Sequence, residues 1–129
     1  MVAISLGGGD NRTVPDAAAA AIFGRGAVVL VTLNTPREKF WGVVLELSTA
    51  GFGVRGIDLN SFDDFAHLVR SGEAATASAV FFPMHRIERI ELDTRNGSIP
   101  SLAERFSSKS GREVADVLDF AELAAERQR

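Results

Sequence analysis

Ala79-Val-Phe-Phe-Pro-Met-His-Arg-Ile-Glu-Arg-Ile-Glu-Leu-Asp93 is the stretch whose reading decides the fold. Two apolar runs, Val80–Phe82 and Ile87–Leu92, are joined by Pro83-Met84-His85-Arg86. That link is too short for a crossover helix and holds none of the glycines of a relaxed hairpin. Proline fixes φ and removes a backbone donor, so the first run ends at or near Pro83. Ile90 and Leu92 alternate with Arg89 and Glu91, yet Ile87 is out of step with them. A strand, a tight turn of 3₁₀ type and a second strand would produce such a slip.

Upstream, three more apolar runs have strand character. Ala27–Leu33 is apolar on both faces, which fits a barrel or a subunit contact better than a sheet with one wet side. After the polar turn Asn34–Lys39 comes Phe40–Leu47, with Gly42 inside it. A glycine there weakens a strand, and its presence points to a sharp bend or a close approach of another backbone. Small barrels need such bends to close. Ser48–Gly51 then turns the chain into Phe52–Leu59, with Gly53 and Gly56. Asn60–Glu73 breaks the strand rhythm, and its apolar spacing predicts a short helix begun by Ser61 and ended by Ser71-Gly72. Ala75–Phe82 and Arg86–Asp93 complete five strands.

The two ends differ from this middle. Gly7–Pro15 is glycine-rich and polar, and residues 1–15 are expected to form a mobile lead. The triple glycine lacks the later Gly-Lys-Ser/Thr of a phosphate loop. Asp16 is placed to cap an alanine-rich helical run, Ala17–Phe23, stopped by Gly24. After the turn signal Arg95–Ser98 the character becomes helical. Ser101-x-x-Glu104 and Ser110-x-x-Glu113 both match the capping-box pattern, and Val114, Val117, Leu118, Ala121 and Ala125 form an amphipathic stripe. Such a stripe either packs on its own barrel or docks a neighbouring subunit or partner protein. The domain reading is a lead over 1–15, a barrel over 16–94 with an insertion at 60–74, and a helical extension over 95–129.

Composition narrows the function classes. At 129 residues the chain is long enough for one ordinary core, with 46% hydrophobic and 24% charged residues. It has no cysteine, which excludes a disulfide framework, a thiolate metal site and a cysteine nucleophile. A formal charge of −3 offers no global attraction to phosphate, so nucleic-acid binding would need a local basic patch. No apolar stretch approaches the roughly 20 residues of a membrane span, and the opening residues lack a signal-peptide pattern. The expected location is the cytoplasm.

Helix, three bent strands, an insertion, then two strands across a tight link is an order that resembles the Sm-like small barrels. Trp41–Leu47 looks like the first Sm motif, with its glycine before alternating apolar positions. Met84–Ile90 is similar to the second motif as found in the bacterial RNA chaperone Hfq, where a histidine, an isoleucine two later and an aliphatic residue three beyond that recur. His85, Ile87 and Ile90 match. The chain departs from the pattern at Ser48, where the family commonly has aspartate. It also departs at Pro83-Met84, where the Hfq-type tyrosine and lysine are replaced. The resemblance implies a five-stranded, strongly bent antiparallel barrel and a homo-oligomeric ring, the fourth strand of one copy pairing with the fifth of the next.

Chemistry-bearing residues are sparse. His67 and His85 have no metal-ligand spacing, the Asp58-x-Asn60 stretch lacks the glycine and glutamate of a calcium loop, and no serine stands in a nucleophile elbow. No cofactor or metal is implied, and a non-catalytic binding or scaffolding module is the leading expectation. The alternative is an Hfq-like RNA-binding ring, using His85 and Arg86 at the strand link. Arg55 and Arg89 would assist, and Phe52 would stack on bases, whereas the commoner place for Trp41 and the phenylalanines is the core. Glu88 and Glu91 interleave with the arginines and could instead pair with them across a wet face.

Overall fold

The computed structural model describes residues 3–5 and 22–118. Most of the expected N-terminal helix and the far end of the C-terminal stripe, Ala121 and Ala125, lie outside them. The predicted strands appear as β2 (Val28–Leu33), β3 (Glu38–Leu47), β4 (Gly51–Asp58), β5 (Ser78–Pro83) and β6 (Ile87–Leu92). The helix of the insertion is α1 (Phe62–Arg70), and the C-terminal region forms α2 (Leu102–Ser110) and α3 (Val114–Leu118). A sixth strand precedes them. Ala3–Ser5, expected to belong to the mobile lead, pairs with β6 as β1.

All pairings are antiparallel, and the strand order is β1-β6-β2-β3-β4-β5. Chain connectivity forces this sheet to curl. β5 and β6 stand four strand spacings apart, which in a flat sheet is roughly 19 Å. Only Met84–Arg86, a 3₁₀ turn, joins them, and the four residue steps from Pro83 to Ile87 reach at most about 14 Å. The corner is bonded to both sides of the gap it crosses: Met84 N–H donates to Ala50 O (3.0 Å) and Asn34 N–H to Arg86 O (2.9 Å). The sheet does not close, however. β5 and β6 are joined by the corner and not by a ladder, which corrects the closed barrel expected from sequence.

Two devices make the curl possible. Gly42 and Gly56 face each other across β3 and β4, where a Cβ on Gly42 would lie 2.8 Å from Gly56 Cα. Neither position has room for a side chain, as the bend at Gly42 required. The second device is a pair of irregularities in register, between Val44 and Glu46 in β3 and opposite Thr32/Leu33 in β6. The latter leaves Glu88 unmatched, since Ile87 pairs with Leu33 and Arg89 with Thr32. The slip of Ile87 therefore has its cause in a bulge inside β6, not in the 3₁₀ turn before it.

Each face of the sheet carries its own apolar layer. Inside the curl, Val29, Val31, Leu33, Val44, Phe52, Val54, Ile87 and Ile90 are buried with Phe23. On the outer face Trp41 and Val43 pack with Phe62, Phe65, Phe106, Val114 and Leu118 from the helices. Trp41 is fully buried, its ring 5.1 Å from Phe62 and 5.6 Å from Phe106. This outer layer explains why β2 is apolar on both faces. It also takes up the described part of the C-terminal stripe, because Val114 and Leu118 pack on the chain's own sheet.

Local capping sets the helices. Ser101 and Glu104 form the expected capping box at the start of α2, and Gly111 ends that helix with φ 76°. The second expected box does not form. Ser110 is the last residue of α2 and its hydroxyl accepts from Arg112 N–H, while the Glu113 carboxylate accepts from Ser107.

Candidate functional site

The five residues expected to meet a ligand are dispersed by the fold. Phe52 is fully buried in the inner layer, so its ring offers no stacking surface. Arg55, three residues on, projects from the opposite face of β4, beside Val43 and Ala79 on the neighbouring strands. Its Nη1 is buried without a hydrogen-bond partner. Arg89 is paired with Glu91 two residues along the same strand.

His85 and Arg86 do come together, in the 3₁₀ corner, but with unlike roles. Arg86 turns inward over the β2–β3 turn. Its guanidinium donates to the carbonyls of Asn34 and Pro36 (the latter at 2.9 Å) and to the Glu38 carboxylate at 2.6 Å. With its side chain 19% exposed, it is a clamp between the corner and the neighbouring turn. His85 is exposed, and its carbonyl accepts from the Asn34 side-chain amide (3.3 Å). The corner thus presents an imidazole to solvent while its arginine is engaged. Among the described residues no group of three or more His, Asp or Glu is placed to hold a metal ion.

A different feature stands out at the edges of the sheet. β5 reads Ser-Ala-Val-Phe-Phe-Pro, six residues without a charge, and among the described residues it has a strand partner on one side only. Phe81 is 51% exposed on it, with Ser78 and Ala79 exposed beside it. Natural sheets protect such an edge with charge, bulges or a covering element, because its free backbone groups invite another strand. Among the described residues only Pro83, at the end of β5, serves that purpose. Beneath the edge lies a cleft of about 170 Å³, lined by Leu33, Phe40, Val80 and Phe82 with Glu38, Lys39 and Asp58. It is small for a drug-sized ligand but large enough for one side chain.

The opposite edge of the sheet is covered. β1 pairs Ala3 with Glu91, Ile4 with Ile90 and Ser5 with Arg89, half the length of β6. The apolar, uncharged character of Ser78–Pro83 was legible in the sequence, whereas the cover on β6 had no signal in a three-residue strand. Comparison of the chain with protein-family models, curated proteins and solved structures finds no match.

Proposed function

We propose that this chain is a non-catalytic, self-associating binding or scaffolding module of Sm-like type, in which β5 of one copy adds to the curled sheet of the next. The observation that carries the reading is the β5 edge, unpaired among the described residues: six uncharged residues, an exposed Phe81 and a cleft able to seat one side chain. An edge strand of one copy meeting a different edge of the next is a head-to-tail contact, and such contacts form a ring where the rotation between copies closes. The order of elements along the chain, three strands, an insertion and two strands joined by a 3₁₀ corner, supports this reading.

The arginines weigh against the RNA-binding alternative. Arg86 and Arg89 spend their charge on Glu38 and Glu91, and Phe52 is not available to stack. The test is light-scattering mass, measured with the absorbance ratio of the purified protein. The wild-type chain is expected to be an oligomer free of nucleic acid. Phe81→Lys is expected to reduce it to monomers at nearly unchanged melting temperature, since that side chain is exposed. An unchanged mass in that variant removes β5 from the interface. Nucleic acid retained at about 50 mM salt and lost steeply above it restores the RNA reading.

A further inference from the structure

We propose that β1 is a displaceable guard on the second half of the self-association surface: Ala3–Ser5 holds the outer edge of β6 in the single chain and yields it to β5 of another copy. The inference rests on the self-association proposed above and adds what regulates it.

The two edges of the sheet are unequal. A sheet with two bare edges associates at either one, whereas among the described residues one edge is unpaired and the other is covered from within the chain. The cover is short. β1 has three residues, aligned with Arg89–Glu91, and β6 has six. β5 also has six residues, so β5 from a second copy can pair along the whole of β6 where β1 pairs along half. Ladder bonds contribute roughly in proportion to their number. The incoming strand therefore makes the better pairing, and it brings uncharged residues to the edge that carries Glu88, Arg89 and Glu91.

Against this, β1 belongs to the same chain. Its pairing is intramolecular and independent of protein concentration, while pairing with a second copy grows with it. The two effects set a threshold: the guarded monomer prevails at low concentration and the assembled form above it. Guard and interface are thus one surface with two occupants.

The chain has no cysteine, which makes a direct test clean. Ser5 and Arg89 are register partners, and Arg89 is exposed, so Ser5→Cys with Arg89→Cys can lock β1 in place under oxidising conditions. Light-scattering mass is followed against protein concentration for the wild type, the locked pair, the same pair reduced, and Ile4→Pro, which cannot sustain the β1 ladder. The expected result is a locked protein that stays monomeric throughout, recovery of assembly on reduction, and a midpoint for Ile4→Pro roughly tenfold below that of the wild type. Faster amide exchange within Arg89–Glu91 in monomeric Ile4→Pro independently reads the loss of the guard. A locked protein that assembles as readily as the reduced one overturns the guard and leaves self-association through β5 standing. Monomers at every concentration in all four samples, Ile4→Pro included, overturn both.

Discussion

The two ends of β6 carry opposite charges put to the same use. Arg86, just before the strand, donates to the Asn34 and Pro36 carbonyls and to Glu38. Asp93, just after it, accepts from the Trp41 indole (3.1 Å) and from the backbone N–H groups of Leu102 (2.8 Å) and Ala103 (2.7 Å). The cation ties the corner to the β2–β3 turn and so holds the curl of the inner layer. The anion ties β3 to the first turn of α2 and so holds the outer layer on the sheet. Both satisfy backbone groups at chain ends that water would otherwise have to serve. The difference lies in what each secures. Asp93 completes a helix start whose remaining donors go to Ser101 and Glu104, and it also anchors the largest buried side chain. Arg86 secures only a turn.

That inequality predicts an order of effects. Asp93→Ala strands an indole N–H and two amides, and hydrogen bonds to a charged acceptor contribute about 1.5–3 kcal/mol each, so a net loss of about 3 kcal/mol is expected in urea unfolding. Trp41 is the sole tryptophan, so the same variant is expected to shift its fluorescence emission to the red. An unshifted spectrum would mean the outer layer seats Trp41 without help from Asp93. Arg86→Met is expected to lower stability by about 1.5 kcal/mol and to leave the Trp41 emission in place, because its bonds are partly exposed and lie on the other layer. If this substitution instead leaves stability untouched and abolishes a nucleic-acid contact, Arg86 is a ligand group and the parallel with Asp93 is lost.

Much of this architecture was legible before any coordinates. Strand periodicity, the glycine at position 42, the Pro83 corner and the Ser101–Glu104 box are local signals, and each has its counterpart in the fold. What escaped was non-local. Asp93 looked like the tail of a strand because its three donors come from residues up to 52 positions away. Arg86 looked like a free cation because its acceptors are backbone carbonyls, which any sequence supplies. Phe52 takes the core place expected of most phenylalanines rather than the stacking role of the RNA alternative, because a buried phenylalanine and a surface one share a letter. The bulge at Glu88 registered as a parity slip, but its location needed the partner strand. The open sheet could not be told from a closed one, since both use the same five strands.

The smallest effect concerns pH, and it belongs to the outer layer. The Glu104 carboxyl is held below its ordinary 4.5, first by the Ser101 backbone N–H it accepts from and then by Arg95. Asp63, on α1, is held below its ordinary 3.8, chiefly by the hydrogen bond and charge of Lys109 on α2. A carboxyl with a folded value below its unfolded one binds fewer protons when folded, so it contributes stability above the unfolded value and loses it as pH falls through the folded one. The window is therefore acidic, from the ordinary carboxylate range downward, and both groups act on the helices rather than on the curled sheet. Both are also exposed to solvent, which keeps the effect small. Glu104→Gln preserves an acceptor for the Ser101 N–H without a titrating proton. Its stability is expected to fall less steeply than that of the wild type between about pH 5 and about pH 3 in urea titrations. Lys109→Met, by releasing Asp63, is expected to flatten the same slope, and the two flattenings should add because the pairs share no atom. Should the slope be the same in all three proteins, acid acts through the inner layer, and the helices owe their hold on the sheet to Asp93 and the aromatic cluster alone.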